Sequence, residues 1–295
     1  MSADIDRIRK IRVEDPAAIE RAAAARSRRG LGERLMLIAA DHPARGSLGA
    51  RGRSDAMTDR EDLLQRLVTA LSRPGVDGVL GTPDIIEDLL LLGALEDKVV
   101  VGSMNRGGLA GSAFELDDRF TAYDADSIAA IGLDGGKMLV RIDPEDPATV
   151  RTLEHAARAV SSLAGRGLMA MLEPFMSNRR DGKVVNDLTP DAVIKSVAIV
   201  SGLGNTSRHT WMKLPVVDDM ERVMRATTMP TLLLGGDPKG SDDELFASWE
   251  KALGLPGVRG LVVGRALLYP HNDDVADAVD IAARLVAGAE PSGDP

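Results

Sequence analysis

From residue 34 to residue 286 the chain repeats one pattern eight times: a short apolar run, then a stretch carrying helix signals. The apolar runs fall at 34–40, 76–80, 98–103, 137–142, 168–172, 209–215, 230–234 and 260–263. A near-continuous apolar run is what a strand buried on both faces needs, and a helix between two such runs is the crossover that parallel strands require. The helix signals are local and specific. Thr58-Asp59-Arg60-Glu61 and Ser241-Asp242-Asp243-Glu244 read as capping boxes, and Thr82-Pro83 and Thr189-Pro190 each pair a cap with a proline in the first turn. Further helices are expected at 126–131, 147–163 and 275–286. Eight such units of about 25 to 40 residues predict an α/β fold, a single (β/α)8 TIM barrel spanning 34–290. A doubly wound open sheet would want a glycine-rich turn after its first strand, and Asp41-His42-Pro43 does not supply one. Ahead of the barrel, Asp15-Pro16 starts a helix that runs to Gly30, so 1–33 forms a helical extension packed on the barrel and able to plug one end. Residues 291–295 are expected to be a flexible tail.

The apolar fraction, 44% of 295 residues, is enough for a core of this size. With no cysteine, the chain has no disulfide, thiolate nucleophile or cysteine-ligated metal, which suits a reducing cytoplasm. A net charge of -9 and a pI near 5.1 argue against non-specific nucleic-acid binding, and 3% aromatic residues are too few for base-stacking platforms. No apolar run approaches the roughly 20 residues of a membrane span, and the polar stretch 1–13 lacks a signal-peptide core. The expected protein is cytoplasmic, without nucleic-acid or membrane partners, self-associating, and acts on a small phosphorylated molecule. The four histidines, His42, His155, His209 and His271, have no metal-ligand spacing, so neither metal nor other cofactor is expected.

Catalytic groups in such a barrel come from the C-terminal ends of different strands, so the polar residues that end apolar runs are the candidates. Lys213 stands in His209-Thr210-Trp211-Met212-Lys213-Leu214-Pro215, one lysine among apolar neighbours. Burial disfavours an ammonium ion, and an amine that gives up its proton is a nucleophile able to form a Schiff base. The bland alternative is a lysine at a strand end that snorkels into water. Lys137 and Arg141 lie two pleats apart on one face of the fourth strand, placing positive charge in the barrel to favour the neutral amine of its neighbour or to hold an anion. Lys137 could instead pair with Asp134. Glu173 ends an apolar strand, and that setting predicts a raised pKa and general acid/base chemistry. Asp41 is placed to orient hydroxyls or relay a proton, or merely to cap a loop, with His42 beside it. Gly235-Gly236 and Gly264-Arg265 follow the seventh and eighth strands, where barrels bind phosphate through backbone N–H groups and a guanidinium. The segment 104–123 is a long glycine-containing loop, a length more often functional than idle.

In order and together, these residues resemble the class I, Schiff-base aldolase superfamily that includes tagatose bisphosphate, archaeal-type fructose bisphosphate and deoxyribose phosphate aldolases. Asp41 with Arg45-Gly46-Ser47-Leu48 resembles the first-strand motif of the tagatose group with extra residues inserted. Lys137-Met138-Leu139, Leu172-Glu173-Pro174 and Met212-Lys213 resemble its fourth-, fifth- and sixth-strand motifs, and Gly235-Gly236 with Val263-Gly264-Arg265 its phosphate site. Pro43 and Leu214-Pro215 depart from the relatives, which puts the substrate rather than the chemistry in question. The chain is also similar to actinobacterial barrels associated with inositol breakdown. That resemblance implies cleavage of 2-deoxy-5-keto-gluconate 6-phosphate to dihydroxyacetone phosphate and malonate semialdehyde, whereas the others imply deoxyribose phosphate or ketose bisphosphates. Two further readings fit the residues: an isomerase barrel with Glu173 as base and Lys213 as electrophile, and a non-catalytic sugar-phosphate-binding barrel.

Overall fold

Strand register closes the sheet on itself. In a computed structural model of the protein, which describes residues 1–236 and 240–288, eight parallel strands form one continuous ring among the described residues. They are β1 (Leu35–Ala39), β2 (Gly78–Gly81), β3 (Val99–Ser103), β4 (Gly135–Ile142), β5 (Met169–Arg180), β7 (Thr210–Pro215), β8 (Thr231–Leu234) and β9 (Val258–Val263). Pairing runs from β1 through β5, from β5 to β7 and on through β9, with β9 returning to β1. The expected strands are all present, with bounds within two residues of expectation except at the end of β5.

Side chains alternate across a strand, and here the two faces sort into two apolar layers. Leu35, Leu37 and Ala39 of β1 join Leu80, Val99, Val101, Met169, Met171, Leu232 and Val262 inside the ring. Met36 and Ile38 join Met138, Val140, Leu172, Met212 and Leu214 in the layer beneath the helices. That outer layer is covered by α3 (Arg60–Leu71), α4 (Pro83–Leu91), α5 (Ala125–Ala130), α6 (Ala148–Gly165), α7 (Pro190–Ser201), α9 (Asp242–Leu253) and α11 (Val275–Gly288), with short α8 (Met220–Met224) and α10 (Arg265–Leu268) between. The expected caps at Thr189 and Ser241 are formed, the latter as a reciprocal box with Glu244. At α3 the cap is Asp59 rather than Thr58: the Asp59 carboxylate accepts from the N–H groups of Glu61 and Asp62, and a carboxylate is the stronger acceptor.

Two features differ from the sequence reading. The extension has two helices, α1 (Ser2–Glu14) and α2 (Ala18–Ala25); Asp15 closes α1 instead of opening the next helix. Only Ile5 and Ile8 of α1 are buried, so its apolar stripe is too thin to stand out in the sequence. The first of these helices packs on the outside of the barrel. Arg12 pairs with Glu87 and Asp88 on α4 at 3.0 and 2.8 Å, and Arg7 donates to the carbonyl of Leu91 at 2.8 Å. The arm after α2 is tied to the rim from which the strands start, where Arg26 donates to the carbonyls of Lys98 and Gly132. The second difference is β5, expected to end at Glu173-Pro174. It continues to Arg180 and turns back as β6 (Lys183–Asn186), an antiparallel hairpin above the ring. Its turn is Asp181-Gly182, both at positive φ, the pair that a two-residue hairpin turn favours. The tail expected at 291–295, and Asp237 after the seventh barrel strand, lie outside the described residues.

Closure makes one glycine indispensable. Gly260, opposite Leu35, has φ +128°, and a Cβ there would sit 2.0 Å from the Leu35 carbonyl oxygen. Strain and overpacking each cost about 1–3 kcal/mol, so Gly260→Ala should lose at least about 2 kcal/mol of stability. Urea unfolding of the two proteins checks this.

Candidate active site

Parity places four charged side chains on the inner face at the end of the ring where the strands finish. Lys137 and Arg141 alternate with the outward Met138 and Val140, Glu173 follows the inward Met169 and Met171, and Lys213 lies between the outward Met212 and Leu214. The strands bring three of them together. Lys213 Nζ donates to Glu173 Oε1 at 2.8 Å, and the other oxygen of Glu173 pairs with Lys137 Nζ. Lys137 also reaches Asp41 Oδ2, at the end of β1, at 3.2 Å. All four are buried: Lys137 is 2% exposed, Asp41 2%, Lys213 3% and Glu173 8%. Lys213 therefore does not snorkel into water, and Lys137 does not pair with Asp134, which instead accepts from Arg28 and from the N–H of Val100.

The electrostatics correct the expectation for Glu173. Burial alone would raise its pKa, but Lys137 and Lys213 outweigh burial and bring it down to about 2. Glu173 is a carboxylate at neutral pH. Burial pushes Lys137 down to about 8, against the opposing pull of Asp41 and Glu173. The group that can both give and take a proton near neutrality is thus Lys137. For Asp41, burial is again opposed, by Arg106 and Lys137 first, and its pKa lies well below the usual carboxylate range. His42 has a quarter of its side chain in contact with solvent but sits low in the mouth, and burial pushes it down to about 3, so it is neutral.

The fourth lysine-strand partner, Arg141, is turned away from Lys213. It donates to the Glu115 carboxylate at 2.5 Å and to the Glu115 carbonyl at 2.7 Å, both in the 104–123 loop. Arg45, on the turn after β1, clamps the same loop through the carbonyls of Gly108 and Asn105 and through Asp118 at 2.6 Å. Asn105 completes the docking by exchanging two hydrogen bonds with the backbone of Leu139. The residue that the sequence reading missed is Arg106. Its guanidinium donates to the Asp41 carbonyl at 2.8 Å and to Asp41 Oδ2 at 2.5 Å, and Ser103 Oγ donates to that same oxygen at 3.2 Å. An arginine in an irregular segment carries no periodic signal; the length of the loop was the only cue.

The glycine turns lie beside this cluster. At Gly264 a Cβ would come 2.3 Å from the Ala39 carbonyl oxygen and 3.1 Å from the His42 ring, so only glycine lets the chain pass there. Gly236 adopts φ +61°, and Gly235 packs on Val263 and Trp249. Arg265 opens α10 and adds its positive charge to the surroundings of His42. Next to it is a recess of about 270 Å³ lined by Ser47, Gly49, Gly52, Arg53, Ser54 and Arg265, polar and cationic enough for an anion. Among the described residues, no group of three or more His, Asp or Glu side chains could hold a metal ion, and no helix is long and apolar enough to cross a membrane.

A family model described as Cgl0159-like matches residues 33–283. The crystal structure of Cgl0159 from Corynebacterium glutamicum is 57% identical over 98% of both chains, with a TM-score of 0.95. A Schiff base-forming fructose-1,6-bisphosphate aldolase is 20% identical, over 86% of this chain and 94% of that one, with a TM-score of 0.64. A fructose-bisphosphate aldolase from Slackia heliotrinireducens is 15% identical, over 94% and 89% of the two chains, with a TM-score of 0.66. At such identities the last two share the barrel with this chain, and that alone is shown. A search of curated proteins found no match.

The depressed pKa of Glu173 has a stability consequence with a definite sign. Its folded value, about 2, lies below its ordinary value of 4.5, so the contribution is fully present above the latter and is lost as pH falls toward 2. Glu173→Gln should unfold at lower urea concentration than the wild type at pH 7, and the gap should narrow as pH falls through that window. Urea midpoints at stepped pH check it.

Proposed function

The chain belongs to the Cgl0159-like family, and on that premise we propose that it is a class I aldolase, a carbon–carbon lyase that cleaves a phosphorylated ketose or keto-acid through a Schiff base on Lys213. The observation that carries this reading is a buried lysine amine 2.8 Å from a carboxylate that is itself held by a second lysine, at the strand ends of a barrel. Glu173, an anion at neutral pH, bridges the two lysines; Lys137 in its neutral form takes the ammonium proton of Lys213 across that carboxylate, and the free amine then adds to the substrate carbonyl. Lys137, with a pKa of about 8, supplies the proton under which the carbinolamine hydroxyl leaves as water. The iminium then draws electrons from the bond being cleaved. A base removes the proton of the substrate's hydroxyl, the carbon–carbon bond breaks, the aldehyde departs, and the electron pair rests as an enamine. Protonation of the enamine and addition of water release the second product and return Lys213. Asp41 orients the substrate hydroxyls, and the turns Gly235-Gly236 and Gly264-Arg265 hold the phosphate.

Structures with this barrel include an archaeal fructose-1,6-bisphosphate aldolase whose catalytic lysine is covalently bound to the carbinolamine of its substrate. That protein is 19% identical to this chain, so it supports the chemistry by analogy and leaves the substrate to be found. A carboxyl held down to about 2 is not the proton donor that a raised pKa would have made it; it acts as the fixed anion through which the two lysines are coupled.

Incubation with dihydroxyacetone phosphate and borohydride, followed by mass spectrometry and peptide mapping, should place a reduced adduct on Lys213 and none in Lys213→Ala. Binding without any adduct would favour an isomerase or a sugar-phosphate-binding barrel. Arg265→Met should raise the dihydroxyacetone phosphate concentration for half-maximal trapping by about tenfold or more, the worth of a charge-assisted hydrogen bond. Release of dihydroxyacetone phosphate from 2-deoxy-5-keto-gluconate 6-phosphate would identify the keto-acid substrate.

A further inference from the structure

We propose that Arg106 is the positioning residue for Asp41: the 104–123 loop carries its guanidinium into the barrel mouth, where it fixes the plane of that carboxylate and keeps it charged. What Asp41 then does rests on the aldolase reading; the geometry does not. Arg106 is 7% exposed and grips one residue twice, at the Asp41 carbonyl and at Oδ2, so it sets both the backbone and the side-chain torsion there. The donors from Arg106, Ser103 and Lys137 converge on Oδ2, so Oδ1 is the acceptor that a substrate hydroxyl meets.

The loop has other anchors, and they separate this role from mere docking. Arg45 and Arg141 spend their donors on loop carbonyls and on Asp118 and Glu115. Arg106 reaches the other way, out of the loop toward Asp41, and its Nε–H is buried without a hydrogen-bond partner. The charged and titratable groups around Asp41 are Arg106, Lys137, His42 and Lys213, with Glu173 behind Lys137. Burial favours the neutral acid, His42 is neutral, and Lys137 divides its charge between two carboxylates. Arg106 makes its close ion pair with Asp41, and Asp118 and Glu173 act on it from farther away.

The test uses the full chain labelled with ¹³C at the aspartate carboxyl carbons, with the Asp41 signal assigned through Asp41→Asn. In wild type the Asp41 signal should stay ionised through the range in which exposed aspartates titrate. In Arg106→Gln its midpoint should rise by about one pH unit or more, and Arg106→Lys should restore most of the shift. Glu115→Gln, which loosens the loop at Arg141 and Gly111 and is absent from the charges around Asp41 and Arg106, should leave it in place. An unmoved Asp41 midpoint in Arg106→Gln, or an equal shift in Glu115→Gln, would overturn the proposal. In parallel, solvent-deuterium exchange into dihydroxyacetone phosphate should slow on the order of 10- to 100-fold in Arg106→Gln, with its acid limb moved to higher pH and the borohydride adduct on Lys213 retained. Wild-type exchange and adduct both absent would mean that the aldolase reading has failed, and the titration would still decide the role of Arg106.

Discussion

Charge alternation in a dry place governs the mouth of this barrel. Lys213, Glu173, Lys137, Asp41 and Arg106 run as cation, anion, cation, anion, cation, each within ion-pair reach of the next. A single buried ion is costly, and a buried pair is sound only when its remaining donors and acceptors are also met. Each carboxylate here lies between two cations, which explains why both stay ionised against burial. The strands can end in charge only because the chain is complete; removing one link would leave its neighbours uncompensated. The same series sets protonation: a carboxylate that is charged at neutral pH, an amine beside it, and a second amine whose proton is exchangeable near neutrality.

Most of this fold was legible because the barrel is built from two periodic signals, near-continuous apolar strands and capped helices. The strands carrying Lys137, Glu173 and Lys213 were recognisable for the same reason, since a charge inside an apolar run is conspicuous. The protonation state of Glu173 was not legible. Whether a buried carboxylate is raised or lowered depends on which cations stand opposite it, and Lys137 lies 36 positions earlier while Lys213 lies 40 later. Arg141 was recognisable as inward-facing but not as a loop anchor, because its partner Glu115 belongs to an irregular segment. Arg106 was invisible for that reason too. The hairpin after Glu173 had a signal in Asp181-Gly182, masked by the proline that followed the expected strand end.

The 104–123 loop shows how a segment without regular structure becomes ordered. Its backbone carbonyls are taken up by guanidinium groups from two different strand ends, those of β1 and β4, and its own Asn105 pairs with β4. Arginine suits this because its planar fork satisfies several acceptors at once. The loop thereby behaves as part of the barrel wall, and Gly108 is held where a Cβ would come 2.1 Å from the Glu115 carbonyl oxygen.

The arm joining α2 to β1 sets a schedule for making the molecule. Arg26 finds its acceptors 72 and 106 residues further on, and β1 closes the ring only with β9. One edge of β1 pairs early with β2, but its other edge must wait for β9, and closing so long a loop is the entropically slow step of such a topology. By contrast β4, β5 and β7, which carry Lys137, Glu173 and Lys213, are sequential neighbours in the ring. The lysine–glutamate–lysine group can thus be assembled on an open sheet before the barrel exists as a closed object.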